Sequence, residues 1–332
     1  MALIAESASA PPQGLIHALL LDGRGGAREL AWTEVLAWSE NQGCLWLHFD
    51  YLEPGAQQWL RTSAGLNDIA SEGLLSEETR PRTITRGNIL LMALRGVNLQ
   101  PGAEPEDMVS LRLWTDGTRV LSARHRKLLS TSDVLESLES GEGPVCAASL
   151  LVEWIDRIVR RMSDTVEDLE ERALALEDGV LNGQTQGMRL ELSQLRSASL
   201  TLRRWLAPQR EALSRLCSEP LSWLDELNRL RLREVGDRQI RYLEDIEQLR
   251  ERTAMIQEEL LSRVSEQMNL RSYVFTVVAT IFLPLGFFTG LMGINVGGMP
   301  GVESDGAFWV VVGMCVTLTA SMAVLFRLKK WL

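Results

Sequence analysis

The C-terminal part of the chain contains two long stretches without charged side chains. The first runs from Tyr273 to Met292, and the second runs from Ala307 to Phe326. A helix of about 20 apolar residues crosses the roughly 30 Å hydrocarbon core of a bilayer. Between the stretches lies the segment Val296 to Gly301, whose glycines and proline cannot continue a helix. The pattern therefore predicts two transmembrane helices joined by a short loop.

Apolar residues before these spans recur at steps of three and four, as on one face of an amphipathic helix. This spacing predicts one helix from Ser149 to about Leu181 and a second from Gln186 to Cys217. A third begins near Leu221 and, with no proline before Pro284, runs unbroken to Met292. At 1.5 Å per residue this helix would be roughly 108 Å long. Most of it would form a stalk outside the membrane, and its single apolar stripe favours self-association.

The N-terminal region shows shorter patterns, typical of strands mixed with helices. A helix is predicted from Pro54 to Ala64, and Asp22-Gly23 and Asp116-Gly117 mark hairpin turns. The predicted strands are Leu15–Leu21, Cys44–Phe49, Ile89–Val97, Val109–Trp114 and Arg119–Ala123.

The fold class expected from these patterns is α+β, in three parts. Residues 1–148 would form an α/β domain, and residues 149–272 a helical stalk domain. Residues 273–332 would form a two-helix transmembrane domain. Within it, the first span covers about 273–292, the outer loop 293–306 and the second span about 307–326.

The distribution of charge sets the orientation of the spans and excludes one class of partner. Arg271 precedes the first span, Lys329 and Lys330 follow the second, and the loop between has neither lysine nor arginine. By the positive-inside rule both termini are cytoplasmic and the loop faces outward. The net charge of −10 argues against nucleic acid, whose phosphates require a basic footprint. An acidic surface attracts cations or simply keeps the protein soluble.

The cysteines and histidines give no sign of a tight metal site. The four cysteines include no CxxC pair, and the three histidines, His17, His48 and His125, are scattered in the soluble part. Tight zinc sites use such ligands at short spacing, so no tightly bound cofactor is expected.

The end of the first span carries the most specific motif. Gly293-Ile294-Asn295 is followed by a loop rich in glycine and proline, the second span and a terminal Lys329-Lys330-Trp331-Leu332. This layout resembles the CorA superfamily of metal-ion transporters, most of which carry Gly-Met-Asn at this place. The Gly-Ile-Asn variant resembles the ZntB branch, which is associated with zinc. The resemblance implies a homopentameric funnel in a bacterial-type inner membrane, with Zn2+ or a related divalent cation as the transported ion and with proton coupling.

Two segments of the soluble part are also similar to the ZntB branch. They are Ser76 to Arg82, which contains Arg80-Pro81-Arg82, and Leu94-Arg95-Gly96-Val97-Asn98. The residues themselves indicate only a turn and a strand, so their role stays open.

Two spans of one chain cannot enclose a water-filled path, so conduction requires several copies around an axis. One side of the first span collects small or apolar residues at steps of three and four. They are Ser272, Phe275, Ala279, Leu283, Gly286 and Gly290. The family's layout turns this side to the pore, where Phe275 and Leu283 would form hydrophobic constrictions. Gly286 stands where many relatives have threonine. Small residues at this spacing also mark ordinary helix packing.

Asn295 is the residue on which selectivity would depend most. A ring of its amide carbonyls can bind the water around a hydrated divalent ion without removing that water. Gly293 would let the backbone turn tightly beneath the ring. Glu303 and Asp305 would concentrate cations at the outer mouth, or they are ordinary polar loop residues.

Two function classes remain open. The first is a divalent-cation transporter; the second is a membrane-anchored oligomeric scaffold or metal sensor that does not transport. An enzyme is not expected, because the chain has no P-loop, Rossmann fingerprint, nucleophile elbow or metal-hydrolase motif.

Overall fold

The computed structural model describes residues 10–77, 80–184, 187–294 and 305–329. The chain divides into two compact units, Met1–Gln257 and Glu258–Leu332. The first unit contains a mixed sheet with its surrounding helices. The second contains the end of a long helix and the last helix. The predicted boundaries at residues 148 and 272 stay a prediction.

The sheet of the first unit has the strand order β2-β1-β3-β7-β6-β5-β4. Its central pair, β3 and β7, is parallel, and the other neighbouring strands are antiparallel. The strands are β1 (Leu15–Leu21), β2 (Ala27–Glu29), β3 (Leu45–Asp50), β4 (Arg82–Arg86), β5 (Ile89–Gly96), β6 (Val109–Thr115) and β7 (Arg119–Arg124).

Helices pack on both faces of this sheet, and further helices form the C-terminal part of the chain. They are α1 (Trp32–Leu36), α2 (Pro54–Thr62), α3 (Asp68–Leu75), α4 (Leu129–Glu139), α5 (Ala147–Arg160), α6 (Ser163–Leu181), α7 (Met188–Ser218), α8 (Glu226–Met292) and α9 (Ala307–Leu328).

The predicted strands are confirmed, but two strands escaped the sequence patterns. β2 has three residues, which is too short for an alternating pattern. β4 reads Arg-Thr-Ile-Thr-Arg and lies at the edge of the sheet, where only Thr83 is buried. A strand with so little apolar surface gives almost no periodic signal.

The hairpin between β6 and β7 is closed by Asp116 and Gly117, as predicted. Asp116 Oδ1 accepts hydrogen bonds from the backbone N–H groups of Thr118 and Arg119. Gly117 has a φ of +95°, and an added Cβ would lie 2.4 Å from the ring of Trp223. Glycine is therefore required both by the turn and by this close contact.

The prediction of one helix from Ser149 to Leu181 is wrong. α5 ends at Arg160 and α6 begins at Ser163. At the junction the N–H of Met162 bonds to the carbonyl of Val159, three residues back rather than four. Met162 is buried, so the apolar periodicity continues through the turn and conceals it.

The long helix α8 is continuous from Glu226 to Met292, as the sequence predicted, but it begins after Leu221. Leu221 is buried in a turn that precedes the helix. The side chain of Asp225 then accepts a hydrogen bond of 2.8 Å from the N–H of Asn228, which caps the first turn.

Candidate functional site

The second compact unit is formed by apolar helices whose side chains are exposed. The C-terminal part of α8 and all of α9 are each long and apolar enough to cross a membrane. No residue in the most apolar window of either helix is buried. The core helix of a soluble protein would be buried by its neighbours. These helices therefore fit a lipid environment, as predicted.

The six residues predicted to face a pore are all exposed in the single chain. The two bulky ones, Phe275 and Leu283, are 75% and 76% exposed. At 100° per residue, all six fall within a sector of about 80° of the helix.

The opposite side of α8 is partly covered. Its half-buried residues in the span are Val277, Ile281, Pro284, Leu285 and Phe288. At 100° per residue their mean direction lies about 180° from that of the exposed stripe. On α9, the partly covered residues from Ala307 to Phe326 also recur at three- and four-residue steps. The predicted stripe thus lies on the more exposed side of α8.

The chemistry of the stripe is neutral and gives an ion no charged ligand. Gly286 and Gly290 have no atom within 4 Å of an added Cβ, so contacts within the chain do not require glycine there. The hydroxyls of Thr276 and Thr280 donate to backbone carbonyls four residues back. An ion that passed along this side would keep most of its water.

Helix α8 ends at the predicted selectivity motif. The N–H of Gly293 bonds to the carbonyls of Thr289 and Gly290, at 3.0 Å and 3.1 Å. A Cβ on Gly293 would come no closer than 3.4 Å to either of these carbonyl oxygens. Ile294 is exposed. Asn295 and Glu303 lie outside the described residues, and Asp305 is exposed just before α9.

The structure brings together two histidines that the sequence treated as scattered. His17 pairs with His48 in the register of β1 and β3, and their ring centroids are 6.1 Å apart. His48 is fully buried; its Nδ1 lies 2.7 Å from Ser122 Oγ, and its Nε2 accepts a hydrogen bond from Arg124. Both ring nitrogens are therefore occupied.

Metal ligands are sparse in the part of the chain that the structure describes. No group of three or more histidine, cysteine, aspartate or glutamate residues there could hold a metal ion. Burial raises the pKa of the Cys44 thiol to about 12, which removes it as a thiolate ligand.

A feature that the sequence reasoning missed is Arg112, a buried arginine in the middle of β6. The signal was present, because a charged residue interrupts the apolar run Val109 to Trp114.

Comparison with known proteins gives matches along nearly the whole chain. The model of the family described as CorA-like Mg2+ transporter protein matches residues 41–330. The divalent cation transporter CmaX of Pseudomonas aeruginosa is 40% identical, over 98% of this chain and 98% of that protein. The zinc transport protein ZntB of Yersinia enterocolitica is 36% identical, over 96% of each chain.

Solved structures give the same result for the fold. The full-length CmaX protein matches with a TM-score of 0.84 and 39% identity, over 98% of this chain and 100% of that one. The CorA magnesium transporter of Methanocaldococcus jannaschii matches with a TM-score of 0.78 and 19% identity, over 96% and 99%.

Proposed function

The chain belongs to the CorA family of divalent cation transporters, and from this premise we propose that it carries Zn2+ through an axial pore lined by α8 of several copies. The observation that carries the proposal is the stripe of α8. It is exposed, neutral and opposite the partly covered side of the same helix. Copies arranged around an axis would turn these stripes toward one another and enclose a path that one chain cannot form.

The proposed assembly is a homopentamer in the inner membrane, with both termini in the cytoplasm. The number five comes from the resemblance to the CorA family. The orientation comes from Arg271, Arg327 and Lys329, which flank the two spans on the same side.

Asn295 is proposed as the outer filter, and Glu303 and Asp305 as its acidic entrance. The stripe of α8 contains no charged residue that could bind the ion directly. Selection by hydrogen bonds to the water around the ion therefore suits this path. Zinc is favoured because ZntB of Yersinia enterocolitica, named as a zinc transport protein, is 36% identical over 96% of the chain.

Proton coupling is proposed from the same relationship. The spans have no carboxylate, lysine, arginine or histidine from Tyr273 to Met292 or from Ala307 to Phe326. A relay of such groups within the bilayer is therefore not the route. The coupling groups would lie in the outer loop, the cytoplasmic part of the path or its water.

The test is uptake of zinc into proteoliposomes by the wild type and by Asn295→Ala. We expect uptake to fall about tenfold or more, which corresponds to losing roughly 1.4 kcal/mol of stabilisation of the ion in the filter. Asn182→Ala, the same change at an exposed position after α6, is the matched control. An imposed pH gradient should accelerate uptake.

Wild-type vesicles that take up no divalent metal would instead support the scaffold or sensor. Undiminished uptake by Asn295→Ala would contradict the proposed role of Asn295 as a filter, but it would not contradict transport.

A further inference from the structure

Helices α6 and α7 follow one another in the chain, pack together and carry opposite charge. α6 has seven carboxylates and one arginine, whereas α7 has six arginines and two glutamates. Within the described residues, however, no ion pair joins the two helices. Their ion pairs lie inside α6 or lead from α6 and α7 to α8. Most of these opposite charges are therefore available to another molecule.

Positive charge is concentrated in a groove beside α7, which we call the basic groove. Its volume is about 540 Å³, and its described lining residues include no carboxylate. Its arginines are Arg80, Arg203 and Arg204. Arg203 is paired with a glutamate of α8. Arg80 and Arg204 are exposed, and neither forms an ion pair within the described residues.

The basic groove also offers apolar surface. Leu200, which lines it, is 49% exposed. Trp205 is half-buried there, with the guanidinium carbon of Arg204 5.1 Å from its ring centroid. Tryptophan and arginine are enriched where proteins bind one another, usually around an apolar centre. A complementary occupant would present apolar side chains among carboxylates.

The exposed side of α6, which we call the acidic face, has this composition. It carries two leucines among four carboxylates, and all six residues are exposed. They are Asp164, Glu167, Glu171, Leu174, Asp178 and Leu181. At 100° per residue they fall within a sector of about 100° of the helix. None of the four carboxylates forms an ion pair within the described residues.

Two complementary surfaces that do not meet within one chain suit a ring of copies. In a closed ring each copy presents two different surfaces to its two neighbours. Opposite charge on these surfaces favours the head-to-tail orientation, because two like-charged faces repel each other. In a chain whose net charge is −10, such a pairing also provides a local attraction between copies that repel one another overall.

We propose that the acidic face of one copy binds in the basic groove of the next copy. The carboxylates of α6 would pair with Arg80 and Arg204, and the leucines of α6 would pack on Leu200 and Trp205. This contact lies outside the two spans. The inference rests on the ring of copies proposed above, and it specifies which surfaces of the soluble part join neighbouring copies.

The first test uses the scarcity of lysine in the chain. Its three lysines are Lys127, Lys329 and Lys330, so α7 has none. Arg204→Lys keeps the charge of the basic groove and adds an amine, which a carbodiimide joins to a carboxylate in direct contact. With the full-length protein in lipid nanodiscs we expect covalent dimers on a denaturing gel, linked through a peptide of α6. Arg61→Lys, at an exposed position of α2, is the matched control and should give no more dimer than the wild type.

The second test reverses the charges and measures the temperature at which the assembled protein dissociates. Arg80→Glu with Arg204→Glu should lower this temperature by about 4 °C or more, and Glu167→Arg with Glu171→Arg should do the same. The four changes together restore opposite charges on the two surfaces and should recover most of the loss. High salt should reduce these differences, because it screens exposed charges.

The control for the second test is Arg24→Glu with Arg61→Glu, the same change of charge at exposed positions outside the basic groove, which should have no effect. The proposal is overturned if Arg204→Lys forms no cross-link to α6 of another chain, or if the fourfold variant is no more stable than either pair of changes. It is also overturned if the α6 changes have no effect, as expected if a small anion or a lipid headgroup occupies the groove. These results in an oligomer that takes up zinc leave the proposed transport in place, whereas a monomeric wild type overturns both proposals.

Discussion

Gly286 and Gly290 leave the exposed stripe of α8 without side chains at two successive turns. No other atom of the chain approaches the positions where their Cβ atoms would lie. Packing within the subunit therefore does not explain these glycines. The space they leave is available to a second copy of the chain or to the proposed path.

Substitution of Gly286 distinguishes a position on the path from one facing lipid. Gly286→Leu places a bulky apolar group on the stripe, and we expect zinc uptake to fall at least about tenfold because the hydrated path is narrowed. Gly313→Leu is the control, since Gly313 in α9 is exposed and an added Cβ there also meets no atom. Size-exclusion profiles should be the same for both. Equal uptake by the two variants would place Gly286 away from the path.

At the residue scale, the sequence predicted positions that follow a helical period and missed those that do not. Spacing places the residues from Ser272 to Gly290 on one side of the helix, but only the resemblance to the CorA superfamily turned that side to a pore, and this stays a prediction. Arg112 could not be assigned a role, because its environment comes from β5, β7 and the segment after α3, which are distant in sequence. Asn295 was predicted from a motif, lies outside the described residues and stays a prediction.

Among the secondary-structure elements, the apolar patterns predicted the long helices but missed the break between two successive helices. Between Glu226 and Pro284 no proline interrupts α8, and Asp225 caps its start. The break between α5 and α6 was missed because buried Met162 keeps the period. β4 was missed because an edge strand of arginines and threonines has no apolar alternation.

The burial of His48 in β3, beside β1, makes the free energy of unfolding depend on pH. Burial, with further contributions from Arg124 and His17, holds the pKa of His48 well below 6.5. In the unfolded chain His48 binds a proton below about pH 6.5, whereas in the folded sheet it stays neutral. The contribution of neutral His48 to the free energy of unfolding is therefore fully present above pH 6.5. It is lost as the pH decreases toward the pKa of His48 in the folded chain.

The expected size of this effect is up to about 1.4 kcal/mol per pH unit for one histidine. Thermal unfolding followed by tryptophan fluorescence from pH 7.5 to 5 should show the loss, and Trp46 lies 6.0 Å from the His48 ring as a local reporter. His48→Gln should flatten the curve. An unchanged slope in His48→Gln would refute the assignment.

For the whole molecule, the family match over residues 41–330 confirms the resemblance to the CorA superfamily. That resemblance was drawn from Gly293-Ile294-Asn295 and the two predicted spans. The α+β fold class with a long helix and two candidate spans is confirmed as well. The number of copies could not be predicted from the residues. The apolar stripe of α8 outside the span, from which self-association was predicted, is buried within the single chain at Leu243, Ile246 and Leu249, so it neither requires partner chains nor counts them.

The exposed stripe of α8 is proposed to line a water-filled path for zinc. The most direct measurement compares zinc uptake by Leu283→Cys and Val278→Cys proteoliposomes before and after treatment with a water-soluble thiol reagent. The wild type, with its four cysteines, is treated in parallel. Leu283 lies on the stripe, whereas Val278 is exposed about 140° away around the same helix. We expect the reagent to block Leu283→Cys and to leave Val278→Cys at the wild-type rate. Full activity of treated Leu283→Cys, or equal block of both variants, would contradict it.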